Sequence, residues 1–363
     1  MQTITGLMSQ YPLQVKSIKL ISDKGKKATW SLATSAGTKI LKKAPVSKQR
    51  LLFLLQAIRH LQKNGAPIPR MVATTDGNDY AEDSSGSCYV LSDAAEGVSP
   101  SYVTGDLLLI MKELGKFHMA SRGFQSAYTT DEREHLGSWG RGYAKHLDQL
   151  ERFKGMALSS SNSNRISIKN MKSSKRSRSG KSSSIRSSSS SEFERLFLLH
   201  VDKFIDQGKA ALHLIQSSPY TNWVNKVAVQ KNLCHQDFAA ANLIKTRQGL
   251  AIIDMDSLTF DLPARDIRKI FNKVMKKHGW SSAKAISMLR AYREVHPLSA
   301  EECSVIYADL LFPHLFYGLS SKYFNKRTEW NAPQTIQKLK SLITSDRERQ
   351  QMLASWDSIV KQS

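Results

Sequence analysis

The chain changes its hydrophobic period partway along, and that change limits the folds open to it. From Gln14 to Pro45 the apolar residues alternate in short runs: Val15-Lys-Ser-Ile-Lys-Leu-Ile, Ala28-Thr-Trp-Ser-Leu-Ala-Thr and Thr38-Lys-Ile-Leu-Lys42, separated by turns at Asp23-Lys-Gly25 and Ser35-Ala-Gly37. Alternation broken by turn residues predicts a three-stranded antiparallel meander. Ser47 then opens a helix in which Leu51, Leu54, Leu55, Ile58 and Leu61 recur at helical spacing, and Asn64-Gly65 with Pro67-Ile-Pro69 stops it. Two further strands are expected, Met71 to Thr75 and Ser87 to Leu91, around a turn at Asp76-Gly-Asn78. After Asp93-Ala-Ala-Glu-Gly97 the spacing becomes helical, starting with Gly105 to Ser121 and resuming from Glu192 to Leu214 and through most of the last third. The expected architecture is α+β and bilobal: a small antiparallel-sheet lobe with one helix over residues 1–93, and a large, mainly helical lobe over residues 94–363.

Residues 158–191 interrupt the second lobe. Half of them are serine, eight are Lys or Arg, and none is acidic or aromatic. Such a stretch has too little apolar surface to bury and reads as a flexible basic insertion. Within it, Ser173-Ser-Lys-Arg-Ser-Arg-Ser179 has the form of a target for a basophilic kinase, with an inert linker as the alternative.

The formal net charge of +22 predicts adhesion to polyanions. No nucleic-acid-binding motif accompanies that charge and no aromatic stacking pattern runs through the basic residues, so specific nucleic-acid recognition is not expected. Cys88, Cys234 and Cys303 are odd in number and far apart, which suggests neither a disulfide framework nor a zinc quartet and fits synthesis in a reducing cytoplasm. No secretion signal and no membrane span are expected.

Two nearby segments carry chemistry: His235-Gln-Asp237-Phe-Ala-Ala-Ala-Asn242 and Ala251-Ile-Ile-Asp254-Met-Asp256. The pattern H-x-D-x-x-x-x-N can supply a base and one metal ligand, and an apolar strand ending in Asp can supply a second ligand. Phosphoryl transfer needs such groups: a base aligned with an acceptor hydroxyl, and hard oxygen donors for the magnesium that bridges the phosphates. Asp237 is the candidate base, with Asn242 and Asp254 the candidate ligands of Mg2+. Lys42, following Ile40-Leu41, is the candidate for gripping ATP phosphates, with Lys39 and Lys43 as rivals. Leu91 and Asp93, at the expected lobe boundary, are placed beside the adenine.

With Gly115-Lys-Phe-His-Met-Ala-Ser121 and Asp261-Leu-Pro-Ala-Arg-Asp266-Ile, these segments resemble the spore coat protein S family, kinase-like proteins of endospore-forming bacteria within the aminoglycoside phosphotransferase and choline kinase superfamily. The resemblance spans nearly the whole chain apart from the serine-rich stretch. It implies a bilobal protein-kinase-like fold with ATP in the cleft, Asp237 as base, and Asn242 and Asp254 on magnesium. It also implies synthesis in the mother-cell cytoplasm, assembly into the spore coat and other coat proteins as partners.

One departure bears on activity. Kinase-like enzymes hold the strand lysine with a glutamate on the following helix, but no Asp or Glu occurs between Lys24 and Thr75, and that helix offers uncharged Gln49 and Gln56 instead. Two readings therefore stand: an ATP- and magnesium-dependent phosphotransferase acting on a small hydroxylated acceptor, or an inactive pseudokinase serving as a structural coat component. Asp256 reads as a strand-end turn residue rather than a ligand. Asp266 is expected to bond the backbone of the catalytic loop and His235 to brace that loop, while His118 is expected to be a satisfied interior histidine. The late aromatics Trp280, Tyr292, Tyr307, Phe312, Phe316, Tyr317 and Tyr323 fit core packing better than a quaternary-ammonium box.

Overall fold

A computed structural model describes residues 2–128, 135–173, 192–325 and 332–363. The meander forms as β1 (Val15–Asp23), β2 (Ala28–Thr34) and β3 (Gly37–Lys43), paired antiparallel with Trp30 opposite Leu41 and Thr29 opposite Lys42. The helix α2 (Lys48–Lys63) starts where Ser47 accepts a hydrogen bond from the Arg50 amide. Beyond it, β5 (Cys88–Asp93) pairs with β3, and the two-residue β4 (Ala81–Glu82) pairs with β5, giving the sheet order β1-β2-β3-β5-β4. The strand expected from Met71 to Thr75 is reduced to a single bridge, Met71 to Ser92. The loop there turns back on itself instead, with the Thr74 amide donating to the Asn78 carbonyl.

The sheet has two differently covered faces. Leu32, Leu41, Tyr89 and Leu91 pack under the short α1 (Gln2–Met8) through Ile4, Leu7 and Met8. On the opposite face, Cys88 and Val90 meet Leu51 and Leu55 of α2. Nothing in the sequence flags α1: its helical turn is too short to show a period, and only the sheet face beneath it supplies the apolar partner.

The remaining chain is mostly helical: α3 (Thr104–Ala120), α4 (Trp139–Ser173), α5 (Glu192–Ile215), α6 (Ser218–Gln230), α7 (Ala264–His278), α8 (Ser282–Arg293), α9 (Ala300–Leu311), α10 (His314–Phe324), α11 (Ala332–Ala354) and α12 (Trp356–Gln362). Two small antiparallel ribbons are set among them: β6 (Leu233–Cys234) with β9 (Thr259–Phe260), and β7 (Leu243–Thr246) with β8 (Gly249–Ile252). The largest core runs from Phe53 and Leu54 of α2 through Phe117 and Phe153 to Phe271 and Tyr292, so it reaches across from the sheet-bearing part into the helices. The late aromatics join it: Phe316 stacks on Phe197 and Phe204, Tyr323 on Phe193.

The serine-rich stretch departs from expectation at its start. Residues 158–173 continue α4 as helical backbone, since extending an existing helix is far easier than nucleating one. The rest of the insertion and all but the first residue of the Ser173–Ser179 motif lie outside the described residues.

Candidate active site

The catalytic-type loop is built on a buried anion. Asp266, at the start of α7, accepts the His235 amide at 2.7 Å on one carboxylate oxygen and the Gln236 amide at 2.8 Å on the other, and His118 Nε2 lies 3.3 Å away. Burial works against its ionisation, yet His118 and the cations beyond hold the carboxyl below the usual range. His118 is completed by the Tyr292 hydroxyl at 2.7 Å, so it is an interior histidine with both ring nitrogens engaged. Fixing two successive amides forces the loop to turn sharply, and Gln236 takes φ 66°, a region that costs a non-glycine residue energy and is kept only where surroundings impose it.

His235 braces the loop from within. Its Nδ1 accepts the Asp237 amide at 3.2 Å while Nε2 faces the Ile253 carbonyl at 3.2 Å, which requires the neutral ring protonated on Nε2. Burial pushes its pKa down, consistent with that form. One imidazole thereby ties the Asp237 loop to the strand that leads into Asp254.

The three acidic and amide groups expected to work together sit along this brace. Asn242 Nδ2 donates to Asp237 Oδ2 and to the Asp237 carbonyl, both at 2.9 Å. The Ile253 amide donates to the Asn242 carbonyl at 3.0 Å. With its Nδ2 committed, Asn242 has its side-chain oxygen as the end for a cation. Asp254 follows at φ 63°, the left-handed region again, and opens the single 3-10 turn Met255–Ser257.

Lys42 resolves the question of the missing glutamate. Its ammonium lies 2.6 Å from Asp254 and 2.6 Å from Asp256. The partner of the strand lysine is thus a pair of carboxylates from beyond β8, not a residue of α2. Lys27, at the β1–β2 hairpin, contacts the same pair at 2.9 and 3.0 Å. Burial disfavours the charged form of Asp254, but Lys42 and Lys27 outweigh it and hold the carboxyl far below its ordinary value. Asp256, read from sequence as a turn residue, is in that turn and also faces the cleft, lined with Asp254 and Asn242.

The rival lysines are engaged elsewhere. Alternation along β3 sends Ile40 and Lys42 to the cleft face and Lys39 to the other, where Lys39 bonds Asp93 at 2.7 Å. Lys43 lies over the Tyr89 ring. The same parity corrects Leu91: its side chain is fully buried against Leu32 and Leu41 under α1, and Val90 and Ser92 face the cleft in its place. Asp93 borders the cleft, but its carboxylate is turned to Lys39 and Arg70. Between them the sheet, α2 and the β7–β8 ribbon enclose about 410 Å³, with an apolar wall of Ile40, Ala44, Ile68, Met71, Val90, Ile244 and Ile252 ending at Asp254 and Asp256. Planar apolar ligands suit such a slot.

On the outer side of the loop stand residues that the sequence reading did not single out. Lys273 of α7 donates to Asp237 Oδ1 at 2.8 Å, leaving the Asp237 side chain about half exposed. Lys269, one helical turn earlier, bonds the Gln236 side-chain oxygen at 2.8 Å and is largely buried, which pushes its pKa down. Their i, i+4 spacing put both on one face of α7, but only the folded loop shows which face.

The family model described as "Spore coat putative kinase YutH" matches residues 180–356. Spore coat protein S of Bacillus subtilis (strain 168) is 29% identical over 99% of this chain and 95% of its own length. Among solved structures, an aminoglycoside phosphotransferase from Alicyclobacillus acidocaldarius aligns with TM-score 0.75 at 18% identity, covering 99% of this chain and 96% of that one. The amicoumacin kinase hAmiN, in complex with AMP-PNP, Ca2+ and Ami, aligns with TM-score 0.56 at 14% identity over 98% and 93% of the two chains. By sequence along almost its whole length and by fold, the chain is a spore coat protein homologue with a kinase-like phosphotransferase fold.

Proposed function

We propose that this protein transfers the terminal phosphoryl group of ATP, with magnesium, to a small hydroxylated acceptor, and that it does so as a component of the spore coat. The observation that carries this reading is the hydrogen-bonded chain Asp237–Asn242–Ile253, which joins an exposed carboxylate to the cleft that Asn242 and Asp254 line. Asp237 takes the acceptor proton. Asn242 and Asp254 hold the magnesium, with Asp256 beside them; these are hard oxygen donors of the kind that ion prefers, and the Asp254–Asp256 pair already gathers cationic groups around it. Magnesium, when bound, neutralises charge on the phosphates. Lys42 contacts phosphate oxygens, and the backbone of residues 92–95 borders the base. Residues 1–93 act as the nucleotide-covering lobe and residues 94–363 as the lobe carrying the base and the acceptor. The structural neighbour hAmiN, in complex with AMP-PNP and Ca2+, supports nucleotide and metal in this fold.

The second reading is a coat building block without turnover. It is favoured by the Lys273–Asp237 ion pair, which engages the base. Both readings include cytoplasmic synthesis and association with other coat proteins, as expected of a relative of spore coat protein S; among the described residues no helix is long and apolar enough to cross a membrane.

Thermal unfolding with and without ATP and Mg2+ separates them first. Ligand at about 100 times its dissociation constant adds about 2.7 kcal/mol to stability, and the absence of any shift overturns the phosphotransferase reading. Turnover across a panel of hydroxyl acceptors is then expected to fall about 10²–10⁴-fold in Asp237→Ala. Equal rates in the two proteins leave the building-block reading.

A further inference from the structure

We propose that Lys27 is a second phosphate-binding cation of the nucleotide site, delivered by the β1–β2 hairpin in place of a glycine-rich loop. The proposal rests on the nucleotide reading above and assigns a residue that the motifs do not reach.

Three observations carry it. First, the hairpin fixes where Lys27 starts. The Lys24 amide donates to the Lys27 carbonyl at 2.8 Å, the Gly25 amide donates to Asp23 Oδ1 at 2.8 Å, and Gly25 takes φ 72°. This closed turn holds Lys27 immediately before β2, at the lip of the cleft, while Lys24 and Lys26 stay exposed. Second, the Lys27 ammonium reaches inward across the cleft to Asp254 and Asp256, the same two carboxylates that Lys42 touches at 2.6 Å. Two ammonium groups on one carboxylate pair repel one another and are held together only by the anion between them. Third, the lysine bridges the hairpin to a segment 227 residues away, so the strand pair that roofs the cleft is tied down by this side chain.

A nucleotide with its metal changes the partners available to these groups. With magnesium bound, Asp254 and Asp256 would engage the ion through their carboxylate oxygens, and the two ammoniums would be left for the anion that a triphosphate brings. Lys42 and Lys27 then turn from the carboxylates to the phosphate oxygens. A lysine suits this exchange, because its ammonium is a point charge on a flexible stem with three donors. An ordinary phosphate-covering loop offers backbone amides made accessible by glycines, and this hairpin has Gly25 alone. The positive side chain supplies the missing donors.

The consequence is a dependence on phosphate number that a structural ion pair would not produce. The wild type, Lys27→Met and Lys27→Arg are titrated calorimetrically with MgATP, MgADP and AMP. Lys27→Met is expected to bind MgATP at least 10-fold more weakly and AMP as the wild type does, with Lys27→Arg recovering most of the loss. Circular dichroism and unfolding midpoints check that the variants fold; Lys27 is a third exposed and packs against no core cluster. Equal MgATP affinity in Lys27→Met and wild type overturns the proposal and leaves the nucleotide site intact. Equal loss for AMP and MgATP also overturns it, since that marks a general distortion of the cleft. A wild type that binds none of the three nucleotides overturns this proposal together with the function it rests on.

Discussion

At the residue scale, the site depends on a few charged side chains that each serve two segments. Asp266 is the clearest. Both carboxylate oxygens accept backbone amides, so in Asp266→Asn the side-chain NH2 must face one of those N–H groups. A buried amide left unsatisfied, with the charge lost, is expected to cost about 3 kcal/mol. Urea unfolding of the variant measures it, and a loss below about 1 kcal/mol contradicts the anchoring role. Asp256 serves the turn and Lys42 at once. Asp256→Asn is expected to weaken MgATP binding while changing stability by less than about 1 kcal/mol, because water still reaches this ion pair and both lysines keep Asp254 as a partner. Calorimetric titration alongside urea unfolding checks both halves.

At the element scale, ends and crossings decide whether the pieces assemble. The helix α9 begins with a complete capping box, Ser299 accepting the Glu302 amide at 3.1 Å and Glu302 accepting the Ser299 amide at 2.9 Å. Ser299→Ala is expected to lower stability by about 1 kcal/mol, read from the denaturation midpoint; no change would mean water replaces the hydroxyl. The connector after β5 crosses the β7–β8 ribbon at a bridge between Val98 and Lys245. A Cβ on Gly97 would land on the Lys245 carbonyl oxygen, a backbone atom with little room to move. Gly97→Ala is therefore expected to cost about 1–3 kcal/mol and to widen the cleft between sheet and ribbon, measured as lost stability together with weaker MgATP binding. Retention of both would show that the crossing relaxes freely.

For the whole molecule, buried histidines govern the response to acid. His296 packs on Tyr292 and beside His118, and its Nε2 accepts from Arg122 at 3.1 Å. Burial first, then the neighbouring His118 and Arg122, pushes its pKa down to about 3. In the unfolded chain the histidine titrates at about 6.5. Between these values the unfolded state binds a proton that the folded state refuses, so stability falls as pH is lowered from about 6.5 towards 3, by up to about 1.4 kcal/mol per pH unit. The Asp254 contribution runs in the same direction but is lost only lower, below the ordinary carboxylate range. His296→Gln is expected to flatten the stability profile between pH 6 and 4, compared by urea midpoints at each pH; an unchanged slope assigns the acid sensitivity to other groups.

What the sequence by itself determined is what local periodicity and motif spacing encode. The alternation from Val15 to Lys42, the Ser47 cap, the helical runs and the His235–Asn242 and Ile253–Asp254 segments are each legible within a dozen residues, because strand and helix periods and short loop motifs are local properties. The scaffolding parts of Asp266, His235 and His118 followed from residue type and position in the same way. Only the tertiary structure decided the rest. Lys42 finds Asp254 across 212 residues of chain, Lys273 finds Asp237 around the outside of the loop, and strand parity together with α1 turns Leu91 away from the cleft that Val90 and Ser92 face. These outcomes depend on which faces the sheet and helices bury against one another, and a charge meets its partner only after that burial has fixed where both ends of the chain lie.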